Sequence, residues 1–380
     1  MRIAVFLYGL TGGGATRRVL TLAKGWAQEG HEVDLVVVKA KGPFRKETSP
    51  LRVVALDFGP WRRLTRLFSR RLQIFLSRFP LAKYLRGSSP DVFLSAANHA
   101  HLAALGARRL ARQDVPLILR LSNHLSGAVK GSRGTKKAWS FLRLAIIKRR
   151  YPEADFVIAV CQDVLHDFLT LIPYPETKTT VIYNPIEVEK IRHLAQEKVS
   201  HPWFQPKKTP IILGAGRLSP QKDFFTLIRA LHEIREETSA KLLILGEGKQ
   251  RKSLEKLIDD LSLRGRVDLP GFTPNPWAYM AKADVFALSS RWEGLPGVLI
   301  EAMACGCPVV STDCPGGARE ILLNGRLGPL VPVGDAKALG EAILSVLENP
   351  PSSEILKRRA EDFDVPKATS AYLDIFSKEA

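Results

Sequence analysis

The chain is written as short apolar runs separated by longer stretches in which apolar residues recur every three or four positions. The runs RIAVFLY (2–8), HEVDLVVV (31–38), DVFLSAA (91–97), PLILRLS (116–122), DFVIAV (155–160) and TTVIYN (179–184) predict buried strands. TRRVLTLAKGWAQEG (16–30) predicts a helix that stops at Gly30. After a polar stretch at 185–208 that carries three prolines, a second series begins. Its strands are TPIILGAG (209–216), KLLILGEG (241–248), VDLPGF (267–272), DVFALSS (284–290), CPVVST (307–312) and GPLVPV (328–333), with helices predicted over 222–237, 249–264 and about 296–305. Two more helical stretches follow Pro350, and the last, KATSAYLDIFSKEA, is amphipathic. Strand and helix alternating throughout predict an α/β protein with two Rossmann-like, doubly wound domains. The expected boundaries are 1–190 for the first domain, 191–208 for a linker, 209–362 for the second domain and 363–380 for a terminal helix. Ligands of such sheets bind beyond the carboxyl ends of the strands, and a crevice between the two domains is a favoured place.

Composition narrows the partners. Of the 380 residues 45% are apolar and 25% charged, as in a packed globular protein. The longest apolar runs fall well short of the ~18 residues of a membrane-spanning helix. The opening MRIAVFLYG enters a Gly-rich turn at once and reads as a first strand, not a secretory signal. Four cysteines are too few for a disulfide framework, and Cys305 and Cys307, with Cys314 close behind, have poor zinc spacing. Buried core thiols in a reducing cytoplasm are expected.

The net charge of +18 is uneven: residues 1–200 hold 33 basic and 15 acidic residues, whereas 201–380 hold 23 of each. Such a half suits an anionic partner, and a solvated basic face is the plain alternative. The densest patch, 61–86, contains Arg62, Arg63, Arg66, Arg70, Arg71, Arg78, Lys83 and Arg86 and no acid. Leu64, Phe68, Leu72, Phe75 and Phe79 would line one face of a helix ended by Pro80. A basic amphipathic helix fits an anionic membrane surface, where each cation contributes about 1 kcal/mol, and this is the preferred reading; a Leu/Phe stripe in the core with wet arginines is the alternative. A second cluster, Lys136, Lys137, Arg143, Lys148, Arg149 and Arg150, adds to an anion-facing surface.

The candidate chemistry lies at predicted strand ends. Neither G-x-x-x-x-G-K-[ST] nor G-x-G-x-x-G occurs, but Gly12, Gly13 and Gly14 fall between the first strand and the first helix, where a ligand could approach backbone N–H groups. Those glycines could equally serve only a tight turn. Arg217 and Lys222 share one short loop after a strand, a pair suited to a diphosphate and also to two ordinary surface cations. In SSRWEGLPGVLIEAMACGCPVV, Glu293 lies in the loop entering a helix and Glu301 about one turn inside it. A helix start beside Gly294 and Gly297 is an anion site, and carboxylates there accept from sugar hydroxyls or simply compensate the helix dipole.

The E-x7-E spacing of Glu293 and Glu301 resembles the motif of the family 4 retaining glycosyltransferases, also called glycosyl transferase group 1, which have the GT-B fold. The stretch from GFTPNPW to GGAREIL resembles that family, as do GAGRLSPQKDF, LLILGEG and VIYNPIE. The likeness is specific in the second domain and loose in the first. It implies that Arg217 and Lys222 bind the donor diphosphate and stabilise the leaving group, that Glu301 holds the ribose, and that Glu293 bonds the transferred sugar. Gly294, Leu295, Pro296, Gly297 and Val298 would contact phosphate and sugar, Gly246 and Gly248 the nucleotide, and Gly271 and Phe272 the base. The Gly12–Gly14 loop would face acceptor and donor phosphate. His124 resembles the family's histidine near the reacting carbon, with His99 and His101 as competitors. The final helix would pack back on the first domain.

On this resemblance the expected activity is transfer of a hexose or N-acetylhexosamine from a nucleotide diphosphate sugar, with UDP preferred, to a glycan or lipid-linked acceptor. That is the chemistry of cell-surface polysaccharide or lipopolysaccharide synthesis, performed from the cytoplasm at the inner membrane face. Retention of configuration is expected, with no cofactor and no metal; LIDDLS falls in a predicted surface helix. Fixed cations and a helix start would then absorb the leaving charge. A same-fold sugar-nucleotide epimerase or a glycan phosphorylase is the alternative. Nucleic-acid binding is prompted by the basic pI but lacks a recognition helix or aromatic platform.

Overall fold

The computed structural model describes residues 1–10, 13–59, 67–126 and 135–380, with the side chains of 135–141 left out. Gly12, Arg62, Arg63 and Arg66 lie outside the described residues, as does Leu64, and so do the side chains of Lys136 and Lys137. The chain forms two units. Met1–Pro185 and Val365–Ala380 make the first and Ile186–Asp364 the second.

In the first unit, strands β1 (Arg2–Gly9), β2 (Glu32–Lys39), β3 (Arg52–Ala55), β4 (Val92–Ser95), β5 (Leu117–Leu121), β6 (Phe156–Ala159) and β7 (Thr179–Val181) form a parallel sheet in the order β3-β2-β1-β4-β5-β6-β7. The central strands β4, β5 and β6 are buried at every position, which is why they read as continuous apolar runs. Helix α1 (Gly14–Gln28) buries Val19, Leu20, Leu22, Ala23 and Trp26. The C-terminal helix, Val365–Glu379, packs on it. Its Tyr372 and Phe376 rings meet Trp26 edge-on, with centroids 5.4 and 5.1 Å away. Each such aromatic pair adds about 0.5–1.5 kcal/mol to the area it buries.

The basic segment departs from its sequence reading. It forms two helices, α2 (Arg70–Leu76) and α3 (Arg78–Ser88), that meet at Ser77. Pro80 lies in the first turn of α3, where its missing N–H costs nothing, so it starts a helix and does not end one. Ile74, Leu81 and Leu85 supply the core. Leu72, Phe75 and Phe79 instead face solvent, 40%, 52% and 52% exposed, which takes these three out of the core, while Phe68 is half-buried. Helices α4 (His101–Ala111), α5 (Thr135–Arg150) and α6 (Gln162–Leu171) complete the described layers of this unit.

The second unit begins earlier than the expected boundary. Residues 191–208 do not form a free linker: they lie within it as the rest of α7 (Val188–Leu194) and a 3-10 turn, Pro202–Phe204. Ile186 N–H donates to Phe363 O at 2.8 Å, so the segment entering this unit pairs with the one about to leave it. Strands β8 (Ile211–Ala215), β9 (Lys241–Leu245), β10 (Val267–Gly271), β11 (Val285–Leu288), β12 (Val309–Thr312) and β13 (Leu330–Val331) form a parallel sheet in the order β10-β9-β8-β11-β12-β13. Helices α8 (Phe224–Glu233), α9 (Arg251–Asp260), α10 (Trp277–Met280) and α11 (Gly297–Ala304) follow successive strands. The helices are shorter than their periodic stretches suggest, because the ends fray into turns.

Candidate active site

The second unit gathers its chemistry at the carboxyl ends of β8 and β11. The turn after β8 carries Arg217 and Lys222, and the loop after β11 carries Ser290 and Glu293. Lys222 Nζ and Glu293 Oε1 are 2.7 Å apart, with side chains only 17% and 10% exposed. Ser290 Oγ donates to the same carboxylate oxygen at 2.7 Å, and Gln221 Nε2 reaches Oε2 at 3.4 Å. Gln221 also donates to Trp292 O and accepts at its own carbonyl from Arg291 N–H, so the β8 turn and the β11 loop are laced together. Arg217 is exposed and makes no hydrogen bond or ion pair among the described residues. A nearly buried ion pair beside a free guanidinium is a charge arrangement open to an incoming anion.

The loop at 293–297 leads into α11 without a side-chain cap, since its Ncap is Pro296. Its first N–H groups are therefore available to an anion. Leu295 is buried and Val298 half-buried. Gly316 holds the shape of this loop. Its φ is +127°, and a Cβ there would come 2.6 Å from Glu293 O and 2.7 Å from Gly294 O. Gly317 N–H donates to Gly294 O, and Glu293 N–H to Pro315 O. Glu301, one turn into α11 and buried, accepts from Trp277 Nε1 at 3.2 Å.

The glycines after β9 have a further cause. Gly246 has φ +143°, and a Cβ on it would run into the carbonyl of Gly216. A Cβ on Gly248 would strike Leu218 O. These two positions let the β8 and β9 loops lie against each other and thereby set the Arg217 backbone. Gly271 ends β10, and Phe272 beyond it is 76% exposed, a bare aromatic face. Sequence reasoning missed Gln221, Ser290, Trp277 and Gly316. A polar residue three positions before Glu293 and the CPGG run were the available signals.

In the first unit, Gly13 is the Ncap of α1 and brings no side chain to it; Gly14 is exposed. His124 follows β5, and its Nε2 lies 2.9 Å from Asp163 Oδ2 at the start of α6. Asp167 Oδ2 accepts from Leu125 and Ser126 N–H, so the His124 loop is pinned to α6. His101 is fully buried, with Nδ1 2.8 Å from Ser95 Oγ and an edge-on contact to Tyr151. Burial, above all, lowers its pKa to about 3, and it is a core residue. His99 sits beside Arg70, whose Nη2 is 3.1 Å from its Nε2. Desolvation, then Arg70 and Arg143, lower the His99 pKa to about 4. Arg70 thus lies over Tyr8 and beside His99, and both Arg70 and Arg71 are exposed.

Comparison with known proteins identifies the family. A family described as "Glycosyl transferases group 1" matches residues 195–363, and one described as "Glycosyltransferase Family 4" matches 12–190. A Campylobacter jejuni enzyme named N-acetylgalactosamine-N,N'-diacetylbacillosaminyl-diphospho-undecaprenol 4-alpha-N-acetylgalactosaminyltransferase is 30% identical over 365 residues, covering 94% of this chain and 93% of its own length. A second protein of that organism, a GalNAc-alpha-(1->4)-GalNAc-alpha-(1->3)-diNAcBac-PP-undecaprenol alpha-1,4-N-acetyl-D-galactosaminyltransferase, is 27% identical over 100% of this chain and 99% of its own. Among solved structures, Anabaena HepE in complex with UDP and glucose superposes with a TM-score of 0.78 at 22% identity, covering 99% of each chain. The chain belongs to the group 1 glycosyltransferases and is a hexosyltransferase with the GT-B fold.

Proposed function

We propose that this enzyme moves a hexose or N-acetylhexosamine from a nucleotide diphosphate sugar, UDP-linked by preference, to a lipid-linked or lipopolysaccharide glycan, with retention and without a metal. The observation that carries this reading is the buried Lys222–Glu293 pair beside exposed Arg217 and the uncapped start of α11. Arg217 and Lys222 would take the diphosphate, and Lys222 would then exchange part of its bond to Glu293 for the leaving phosphate. Glu293, released, would accept from a hydroxyl of the transferred sugar, and Glu301 from the ribose. The acceptor oxygen would attack C1 on the face the nucleotide leaves, and its proton would pass to the departing phosphate oxygen, which is how configuration is kept. Charge stabilisation of this preorganised kind is worth about 10²–10³ in rate per donor. His124, held by Asp163, would stand near the reacting carbon. The two Campylobacter relatives bear names with undecaprenol-linked sugars, which supports a lipid-linked acceptor.

Membrane association would be peripheral, on the cytoplasmic face. Among the described residues no helix is long and apolar enough to cross a bilayer. Leu72, Phe75 and Phe79 face solvent among arginines, with Arg78 stacked 3.9 Å over the Phe75 ring centroid. That pairing of apolar and cationic side chains suits the headgroup boundary. Product analysis tests the whole reading. The enzyme is incubated with UDP-sugars and membrane lipid extract in excess EDTA, and the anomeric carbon of the product is read by NMR. An α-linked product from an α-linked donor is expected. An inverted product would overturn the mechanism, and activity that returns only with added Mg²⁺ would overturn metal independence. Sugar-nucleotide isomerisation with no acceptor present would favour the epimerase reading.

A further inference from the structure

Strand β10, in the second unit, does not run straight to its end. Asp268 pairs with Leu243 of β9 and Gly271 with Leu245, so three steps on β10 match two on β9 and one residue is extra. Pro270 lies in that kink and has no N–H to give the ladder. Arg251, the first residue of α9, supplies a bond there: its Nη1 donates to Leu269 O at 3.0 Å. The same guanidinium grips Glu247, which stands between the two glycines after β9, by both oxygens, with Nη2 2.6 Å from Oε1 and Nε 3.0 Å from Oε2. Nη1 also meets Glu255 Oε1 at 3.2 Å. Two carboxylates on one guanidinium leave the cluster net negative, so Arg251 is no ligand for a phosphate. What it fixes is the turn beyond β10. Gly246 N–H donates to Gly271 O at 2.8 Å. Gly271 has φ +98°, and a Cβ on it would come 3.1 Å from Glu247 Oε1 and 3.7 Å from Arg251 Nη2. The turn therefore lies against the Arg251–Glu247 pair. Phe272 follows at once with its ring bare, so its placement comes from the anchored residues before it and little from packing.

We propose that Arg251 is a positioning residue for the nucleotide: by bridging the kinked end of β10 to Glu247, it holds the Phe272 ring as a platform on which the base of the sugar nucleotide stacks. Every base has a π-face, so such a platform contributes affinity without choosing the base. The fork matters more than the charge, because an ammonium cannot bond two carboxylate oxygens and a carbonyl from one rigid plane. The inference rests on the reading above in one respect, that the second unit takes the donor. It deepens that reading by making nucleotide affinity depend on a residue that touches neither base nor phosphate.

The test uses the full chain. Calorimetric titration with UDP, GDP and ADP finds the tightest nucleotide, and saturation-transfer NMR then compares the base protons of that ligand with its ribose protons. In Arg251→Gln and in Phe272→Ala the base signal should fall relative to the ribose signal, and affinity should weaken about tenfold. The KM for the sugar nucleotide should rise by the same factor, with kcat within about twofold of wild type. The double variant should bind no more weakly than Phe272→Ala alone, because Arg251 acts through that ring. Arg251→Lys keeps the charge without the fork and should recover only part of the loss; it carries the same comparison if the thermal midpoint shows that Arg251→Gln does not fold. The proposal fails if the Arg251 variants keep full affinity, if they lower kcat as much as they raise KM, or if the base-to-ribose ratio does not move. It fails equally if the double variant loses the two single factors multiplied together. Tight nucleotide binding by the wild type in each of those outcomes separates this failure from failure of the glycosyltransfer reading. A wild-type chain that binds none of the three nucleotides would overturn that reading, and this proposal with it.

Discussion

Replacing Lys222 by Met separates the structural and chemical parts of the Lys222–Glu293 pair. At 2.7 Å and an effective dielectric of 20 the two charges attract by ~6 kcal/mol, most of which is offset by the desolvation of both groups. Removing one partner of a buried pair costs about 3–5 kcal/mol when nothing replaces it. Here Ser290 and Gln221 still donate to Glu293, and the carboxylate keeps 10% exposure, so Lys222→Met should cost ~2–3 kcal/mol. For a unit of this size that is a fall of about 5–10 °C in the unfolding midpoint. Turnover should fall about 10²–10³-fold, the cost of one lost donor to the leaving group. The double variant Lys222→Met/Glu293→Gln removes both charges and should recover ~1–2 kcal/mol of the stability while remaining as inactive as the single variant. Scanning calorimetry and initial rates on the two single variants and the double close the cycle. Turnover of Lys222→Met within a few-fold of wild type would refute the leaving-group role, and a double variant no more stable than the single would refute the buried-charge argument.

Three further outcomes follow from the geometry. Trp277→Phe removes the Nε1–H that Glu301 accepts and should raise the KM for the nucleotide sugar about tenfold (~1.4 kcal/mol) with less effect on kcat; an unchanged KM would detach Glu301 from the donor. Gly316→Ala puts a Cβ against two carbonyls at positive φ, which should cost about 1–3 kcal/mol and abolish transfer by displacing the 293–297 loop, so a fully active variant would show that the loop tolerates the shift. His101 has a folded pKa of about 3, below its unfolded value of 6.5. As the pH drops below 6.5 the unfolded chain therefore takes up a proton that the folded one refuses, and stability should fall by up to ~1.4 kcal/mol per pH unit until about pH 3. His101→Gln should flatten that part of the stability profile measured by urea titration, and an unchanged slope would assign it to other groups.

Much of the architecture was written in the pattern of apolar runs. Strands buried on both faces cannot alternate polar and apolar residues, so β1, β4, β5, β8 and β11 stand out as unbroken runs, and the amphipathic helices between them identify a parallel sheet. β3 has no such mark, because an edge strand of four residues is half exposed. The Lys222 and Glu293 positions were singled out because charged residues at strand ends suit a diphosphate and because the motifs that hold them resemble the family's. Their 2.7 Å pairing was not, since 71 residues of chain separate them and only the juxtaposition of β8 with β11 closes that gap. The same holds for Trp277 and Glu301, and for Gly316, whose need for a hydrogen side chain arises from carbonyls more than twenty residues upstream.

Periodicity alone misjudged the basic segment. Leu72, Phe75 and Phe79 recur at helical spacing, and a spacing says which residues share a face but not whether anything covers that face. Nor could charge counting tell Arg70 from Arg71. The sequence determined which residues are apolar, charged or conformationally free, and hence the order and kind of the elements. The packing of α2 against β1, where Gln73 accepts from Tyr8, decided that Arg70 lies over the Tyr8 ring and that Leu72, Phe75 and Phe79 face water, because what covers a side chain depends on neighbours that only the folded sheet brings together.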